Sequence, residues 1–280
     1  MKILRHYTAY LFWILSFLVF GTMLCPGDDT SAAPFAIGET IRYTIHISGV
    51  KVGIQTVKLV SRESLEGRSV YRISGKMKTT GILNLLHQRT EQWEVLVDSS
   101  TLYPVRIERN IYDRGAQSSY IYYIHQEQRK VIIIDRITGQ EKVIQTDNFV
   151  FDQFSLCYFY RKNPWYFKGN ATFDFLKKES VETIILREEG LVQVNIPKLS
   201  GSDTTPSFMF IEDGDEGIEI YTGVDSFSIP LKIVFRTPLS DKKKKVVISL
   251  LISDYAVATD EQSVPEQYRL LLNKNILKDI

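Results

Sequence analysis

The sequence predicts a mainly β protein, built as a large antiparallel sheet covered by one or two short helices. Three observations carry this. Apolar and polar residues alternate with a period of two through most of the chain, as in FAIGETIRYTIHIS at 35–48. Short polar connections such as DRGAQ and EQ separate the segments TLYPVRIERNIY, SSYIYYIHQ and RKVIIIDR, which suits neighbours in a meander. Only one stretch, DNFVFDQFSLCYFYRKNPW at 147–165, switches clearly to helical spacing.

In chain order, Ile41, Tyr43, Ile45 and Ile47 point one way from the first strand, and Arg42, Thr44 and His46 the other. Gly49 and Gly53 allow a tight turn into a second strand at 53–60. Further strands follow at 67–79 and 91–98, with TTGILNLLHQR between them as a short helix or a bent strand. In the 147–165 stretch Phe151, Phe154, Ser155, Tyr158 and Phe159 fall at three- and four-residue spacings, which predicts one aromatic helical face. Asp147 or Asp152 can cap its first turn, and Arg161, Lys162 and Pro164 mark its end. Phe151, Phe154, Tyr158 and Phe159 are therefore the candidate lining of any apolar ligand site, with the helix as a plug over the sheet. ATFDFLK, ETIILRE, GLVQVNIP, FMFIED, EGIEIYTG, IPLKIVFR and KVVISLLISDY read as strands, and EQYRLLLNKNILKDI as a helix or docked tail.

The N-terminal residues predict export. Lys2, Arg5 and His6 precede the apolar run LFWILSFLVF at 11–20, and a polar stretch, PGDDTSAAP, follows at 26–34. That order reads as a secretory signal over residues 1–32. Thr30 and Ala32 supply the small side chains for a cut that leaves Ala33 first. An uncleaved anchor over Tyr7–Leu24 and a lipidated Cys25 are the alternatives, although Leu24 is large for the position before a lipidated cysteine. Removing 32 of 280 residues leaves 248, enough for a single β domain over 33–280. Its lone cysteine, Cys157, cannot form an intramolecular disulfide.

Charge excludes some partners. Lys and Arg total 34 against 33 Asp and Glu, so no global field recruits nucleic acid or pulls the protein onto anionic lipid. Peripheral membrane association stays open, because KKKK at 242–245 suits either a solvated hairpin turn or anionic lipid. The acidic stretch EDGDEG at 212–217 lacks the spacing of a calcium loop. The histidines His6, His46, His87 and His125 form no HxxH or HExxH pattern. An enzyme would need His87 or His125 gathered with carboxylates across the fold. The expectation is accordingly of a non-catalytic protein with no cofactor and no metal.

Several blocks resemble the DUF3108 family of bacterial envelope proteins. PFAIGETIRYTIHISGVKVG (34–53) carries Pro34-Phe35, Gly38-Glu39, Tyr43, Gly49 and Gly53. YRISGKMKTTG (71–81), TLYPVRIER (101–109), DQFSLCYFYR (152–161) and GVDSFSIPLKIVF (223–235, with Asp225) follow in order. The resemblance implies an exported protein without known catalytic residues. It also implies a curved antiparallel sheet or half-open β-barrel whose concave face is covered by short helices. Gly38-Glu39, Asp225 and Pro230 then hold turns and strand entries. By this reading the protein resides in the periplasm and carries a lipid or other apolar ligand. An interaction module for envelope proteins or polysaccharide is the alternative.

Overall fold

Alternating side chains put one apolar face on every strand, and the sheet buries that face by curling around it. The structure, a computed structural model, describes residues 35–196, 204–212, 217–238, 245–257 and 271–272. The predicted signal at 1–32, residues 242–244 of the tetralysine run and most of the C-terminal segment lie outside these residues. Eight strands form a first arc: β1 (Thr40–Ile47), β2 (Val50–Leu65), β3 (Arg68–Thr79), β4 (Arg89–Asp98), β5 (Pro104–Asp113), β6 (Ala116–His125), β7 (Lys130–Asp135) and β8 (Glu141–Gln145). The second arc holds β9 (Val150–Phe151), β10 (Asn170–Leu176), β11 (Val181–Val194), β12 (Thr205–Glu212), β13 (Glu219–Gly223), β14 (Pro230–Pro238) and β15 (Lys245–Ala256). Each arc is a meander, and β1 pairs with β15 to join them into one sheet of 15 strands. The strands pair antiparallel except for the short parallel β9–β10 pair, and an isolated parallel bridge joins Tyr255 to Leu272.

The two edges of this sheet, β8 and β9, are consecutive in the chain. Gln145 and Val150 are separated by so little chain that the edges lie at most about 18 Å apart. The sheet therefore curls almost fully around, and side chains bridge the seam where ladder bonds do not. Gln126 Nε2 donates to the Val150 carbonyl at 2.8 Å, and the Val150 N–H donates back to Gln126 Oε1 at 3.0 Å. Asp174, 3 % exposed, accepts from the N–H groups of Asp147 and Asn148 and from the Thr183 hydroxyl. These donors hold its carboxyl below the usual value in spite of burial. Farther along, Tyr120 and Tyr122 donate to Glu179 and to the Lys178 carbonyl, both at 2.8 Å. The expected half-open barrel is thus the observed fold.

Bulges provide the curvature. Register shifts interrupt β1, β2, β4, β11 and the β13–β14 pair. The shift in β11 falls at Gly190, whose φ of 90° is open to glycine at little cost. ETIILRE and GLVQVNIP, expected as two strands, are accordingly one strand bent at that glycine. Of the residues expected on one face of β1, Ile41, Tyr43 and Ile45 are buried and Ile47 is half-buried. β8 was missed in the sequence reading because it is almost wholly exposed and so carries no alternation.

Two helices accompany the sheet: α1 (Gly81–Leu86), between β3 and β4, and α2 (Gln153–Lys162), followed by a 3-10 turn at Pro164–Phe167. The Asp152 carboxylate caps α2 by accepting from the N–H groups of Phe154 and Ser155 at 2.7 and 2.6 Å. Ser155 Oγ accepts from the Asp152 N–H, completing a capping box. Phe151 corrects the helix expectation. It lies in β9, where pairing with β10 takes its backbone before the helix begins. Helix α2 is also buried around most of its circumference, from Phe154 to Arg161, because it runs inside the barrel.

Candidate functional site

The four predicted lining residues are all buried, and they divide between two sides of α2. Phe151 and Phe159 pack on each other at 4.8 Å, joined by Tyr103, Phe167 and Phe173. Their side is filled. Phe154 and Tyr158 face the first arc. Phe154 meets Trp93 edge-on at 5.3 Å and lies so close to Gly75 that a Cβ there would sit 2.6 Å from its ring. Glycine in mid-strand is what admits the ring.

Beside Phe154 the core is incomplete. A cavity of about 340 Å³ lies between the start of α2 and the inner faces of β3 to β6. Trp93, Ile107, Phe154, Phe175 and Leu176 form its apolar wall, with Met77. Gln55, Glu91, Arg109, Tyr122, Asp152 and Gln153 supply polar groups, and Lys177 and Lys178 stand at the rim. Lys178 is exposed, whereas Ile107 and Phe154 are each 2 % exposed, so the cavity runs from the surface into the core. A second void of about 40 Å³ lies on the other side of Phe154, against Tyr43, Cys157 and Tyr158. Gln55, Gln153 and Phe154 line both and so form the partition. Phe151 and Phe159 line neither.

Period-two alternation explains the wall. Glu91, Trp93, Ile107 and Tyr122 all point inward from their strands, and Arg109 follows the same register. Glu91 is 2 % exposed and is held by two guanidinium groups: Arg109 donates at 2.8 and 3.2 Å, and Arg89 Nε at 2.7 Å. Arg109 also lies over the Trp93 ring at 5.5 Å. This pair was invisible to sequence reading because β4 and β5 meet only after folding.

Asp152 is the unusual member. Oδ1 takes both capping bonds, while Oδ2 is buried with no hydrogen-bond partner. Burial raises its pKa, and the capping donors and Arg109 only partly offset that. A raised carboxyl pKa means the folded state holds the proton longer than the unfolded chain. Its contribution is therefore best at low pH and is lost as pH rises through the folded value. Asp152→Asn keeps a capping oxygen and removes the buried charge. The variant should match or exceed the wild type by up to about 1 kcal/mol at pH 8 and lose that margin near pH 4. Thermal melts at the two pH values decide it; a variant weakened at pH 8 and less so near pH 4 would show that the capping charge outweighs its burial.

The other sequence candidates are dispersed. His87 pairs with Asp113 at 3.0 Å at the α1 end of the barrel, and His125 lies at the opposite end of the neighbouring strands. His125 lines a wider groove of about 510 Å³, whose walls include the exposed Arg68, Thr101, Glu127 and Gln128. That groove reaches in as far as the buried Ile124. Burial pushes the Cys157 thiol up to about 12, which leaves little thiolate at neutral pH. Among the described residues no group of three or more His, Cys, Asp or Glu could hold a metal ion, and no helix is long and apolar enough to cross a membrane.

Of the residues to which the resemblance gives turns and strand entries, Glu39 stands just before β1, Pro230 opens β14 and Asp225 lies in a turn. Glu39 and Arg161, 0 % and 1 % exposed, form a two-pronged pair at 2.6 and 2.7 Å. Tyr158 and Tyr255 donate to the same carboxylate. Asp225 caps a turn through the Phe227 N–H, and the Phe227 carbonyl accepts from Arg161.

The fold has a solved counterpart. A β-barrel-like protein of the DUF1849 family from Brucella abortus is similar, with a TM-score of 0.54 at 7% identity, covering 79% of this chain and 98% of that one. A DUF1089 family protein from Pseudomonas aeruginosa is also matched, at a TM-score of 0.34 and 5% identity over 65% of this chain and 88% of that one. No curated protein matches the chain in sequence. The model of DUF3108, a family of proteins of unknown function, matches residues 42–246, which span the barrel from β1 to the start of β15, and the chain belongs to that family.

Proposed function

We propose that this protein is an exported, non-catalytic binding protein of the periplasm that takes an amphiphilic lipid or similar apolar ligand into the barrel. The observation that carries the reading is the cavity of about 340 Å³ beside Phe154, with an apolar wall, internal polar groups and lysines at its rim. An apolar tail on Trp93, Ile107 and Phe175 leaves water, while a polar head reaches Lys177 or Lys178. Covering about 300 Å² of apolar surface contributes roughly 7 kcal/mol before ordering costs. The separation of His87 from His125 across the barrel supports a binding role over proton-transfer chemistry, which needs groups in hydrogen-bond reach.

The protein, purified from the envelope fraction without detergent, should carry extra mass under native conditions that is lost on denaturation. Met77→Trp places an indole in the cavity. It should remove the bound mass and weaken uptake of a fluorescent fatty acid at least tenfold, with an unchanged circular dichroism spectrum. A wild type with no bound mass and no fatty-acid uptake would overturn the proposal.

A further inference from the structure

The connection between β3 and β4 breaks the rule the rest of the barrel follows. Helix α1 reads Gly-Ile-Leu-Asn-Leu-Leu, and none of its residues is buried. Ile82, Leu85 and Leu86 are 77, 85 and 76 % exposed, and Val50 on the adjoining β1–β2 turn is 67 % exposed. A helix this short has little stability of its own. It has no side-chain cap and no charged residue in its end turns. It is fixed instead to the barrel rim, where the Thr80 N–H donates to the Val52 carbonyl at 2.8 Å and Thr79 bonds Asn84 at 3.0 Å. The barrel thus holds an apolar tip out in water, against the hydrophobic effect.

The surroundings of the tip are basic. Lys51 follows Val50 on one flanking hairpin, Lys78 precedes the helix, and Arg114 stands on the turn at the other side, all three exposed. The neighbouring carboxylate, Asp113, is taken up by Arg89 and His87. Apolar side chains ringed by cations match a bilayer with anionic headgroups, where the apolar groups enter the interface and the cations meet phosphate. Strand direction adds a consequence. Counting antiparallel pairings from β1 through β15 to β10 brings the 177–180 turn, and so the cavity rim, to the same end of the barrel as α1.

We infer that the α1 tip, with Ile82, Leu85 and Leu86 ringed by Lys51, Lys78 and Arg114, docks this end of the barrel on an anionic phospholipid surface. Docking stands on exposure and charge and does not require the cavity to be loaded; if both hold, the cavity opens toward the bilayer.

The test reads the tip directly. Leu85→Trp, at an exposed site that tolerates exchange, should blue-shift on vesicles of phosphatidylglycerol and phosphatidylcholine. It should be quenched by brominated acyl chains. In the protein with its native N-terminus, Lys51→Glu with Lys78→Glu should weaken that signal about fivefold per lysine on the anionic vesicles. Ile82→Asp with Leu86→Asp in the same reporter should abolish quenching while the melting curve is kept. An indole signal unchanged by anionic vesicles overturns the inference, whatever the rest of the chain does at the membrane. So does native mass showing a dimer that Leu85→Asp dissociates, since a second copy would then be what covers the tip.

Discussion

Arg161→Met, with Glu39 left in place, should destabilise the protein by about 3–5 kcal/mol, measured by urea unfolding. Glu39 sits where β1 begins, and its two oxygens accept from Arg161 Nη1 and Nη2, from Tyr158 and from Tyr255. Those donors come from α2 and from the last strand. One carboxylate therefore joins the first strand, the internal helix and the last strand. Taking the guanidinium away leaves a buried carboxylate with tyrosine donors alone, and the cost is that of an uncompensated charge.

The pair itself need contribute little, because burying two ions offsets much of their attraction. The double variant Glu39→Gln with Arg161→Met should therefore recover a large part of the loss, giving a coupling of roughly 2 kcal/mol or more. A single variant within about 1 kcal/mol of wild type would show that the interior admits enough water to solvate Glu39.

The strands were legible in the sequence because an inward face must repeat every second residue, as Ile41, Tyr43 and Ile45 do. The cap at Asp152 was legible for the same reason: capping is local. What was not legible depends on pairings distant in the chain. The aromatic spacing that placed Phe151 on the helix is equally well met by a residue in β9 that stacks on Phe159 across a bend. Strict alternation along IPLKIVFR is broken at the Tyr221–Thr222 shift, where Leu231 is the extra residue, so Leu231 and Val234 are both buried. Arg109 and Glu91 read as ordinary surface charges until β4 and β5 pair and turn both inward. The exposed tip at α1 gave no signal at all, since Ile-Leu-Asn-Leu-Leu looks like a segment bound for the core.

Phe154→Ala should cost a further 3–5 kcal/mol in an independent experiment, and its second effect separates a ligand cavity from a packing defect. Phe154 is 2 % exposed, fills the space left open by Gly75 and separates the cavity of about 340 Å³ from the void of about 40 Å³. Without the ring the two join into one space reaching Tyr43 and Leu250. The volume the ring vacates, bordered by Trp93, Val57 and Leu250, accepts small apolar solutes. Added benzene or a short alkyl alcohol should thus raise the melting temperature of the variant and leave the wild type nearly unmoved, following ligand linkage. Fatty-acid uptake should move the opposite way, because the tail loses the aromatic face that Phe154 and Trp93 present together. A variant restored by benzene yet taking up fatty acid as well as the wild type would place the tail elsewhere, away from Phe154. A variant that loses uptake and is rescued by benzene would identify the Phe154–Trp93 face as the surface on which the apolar ligand rests.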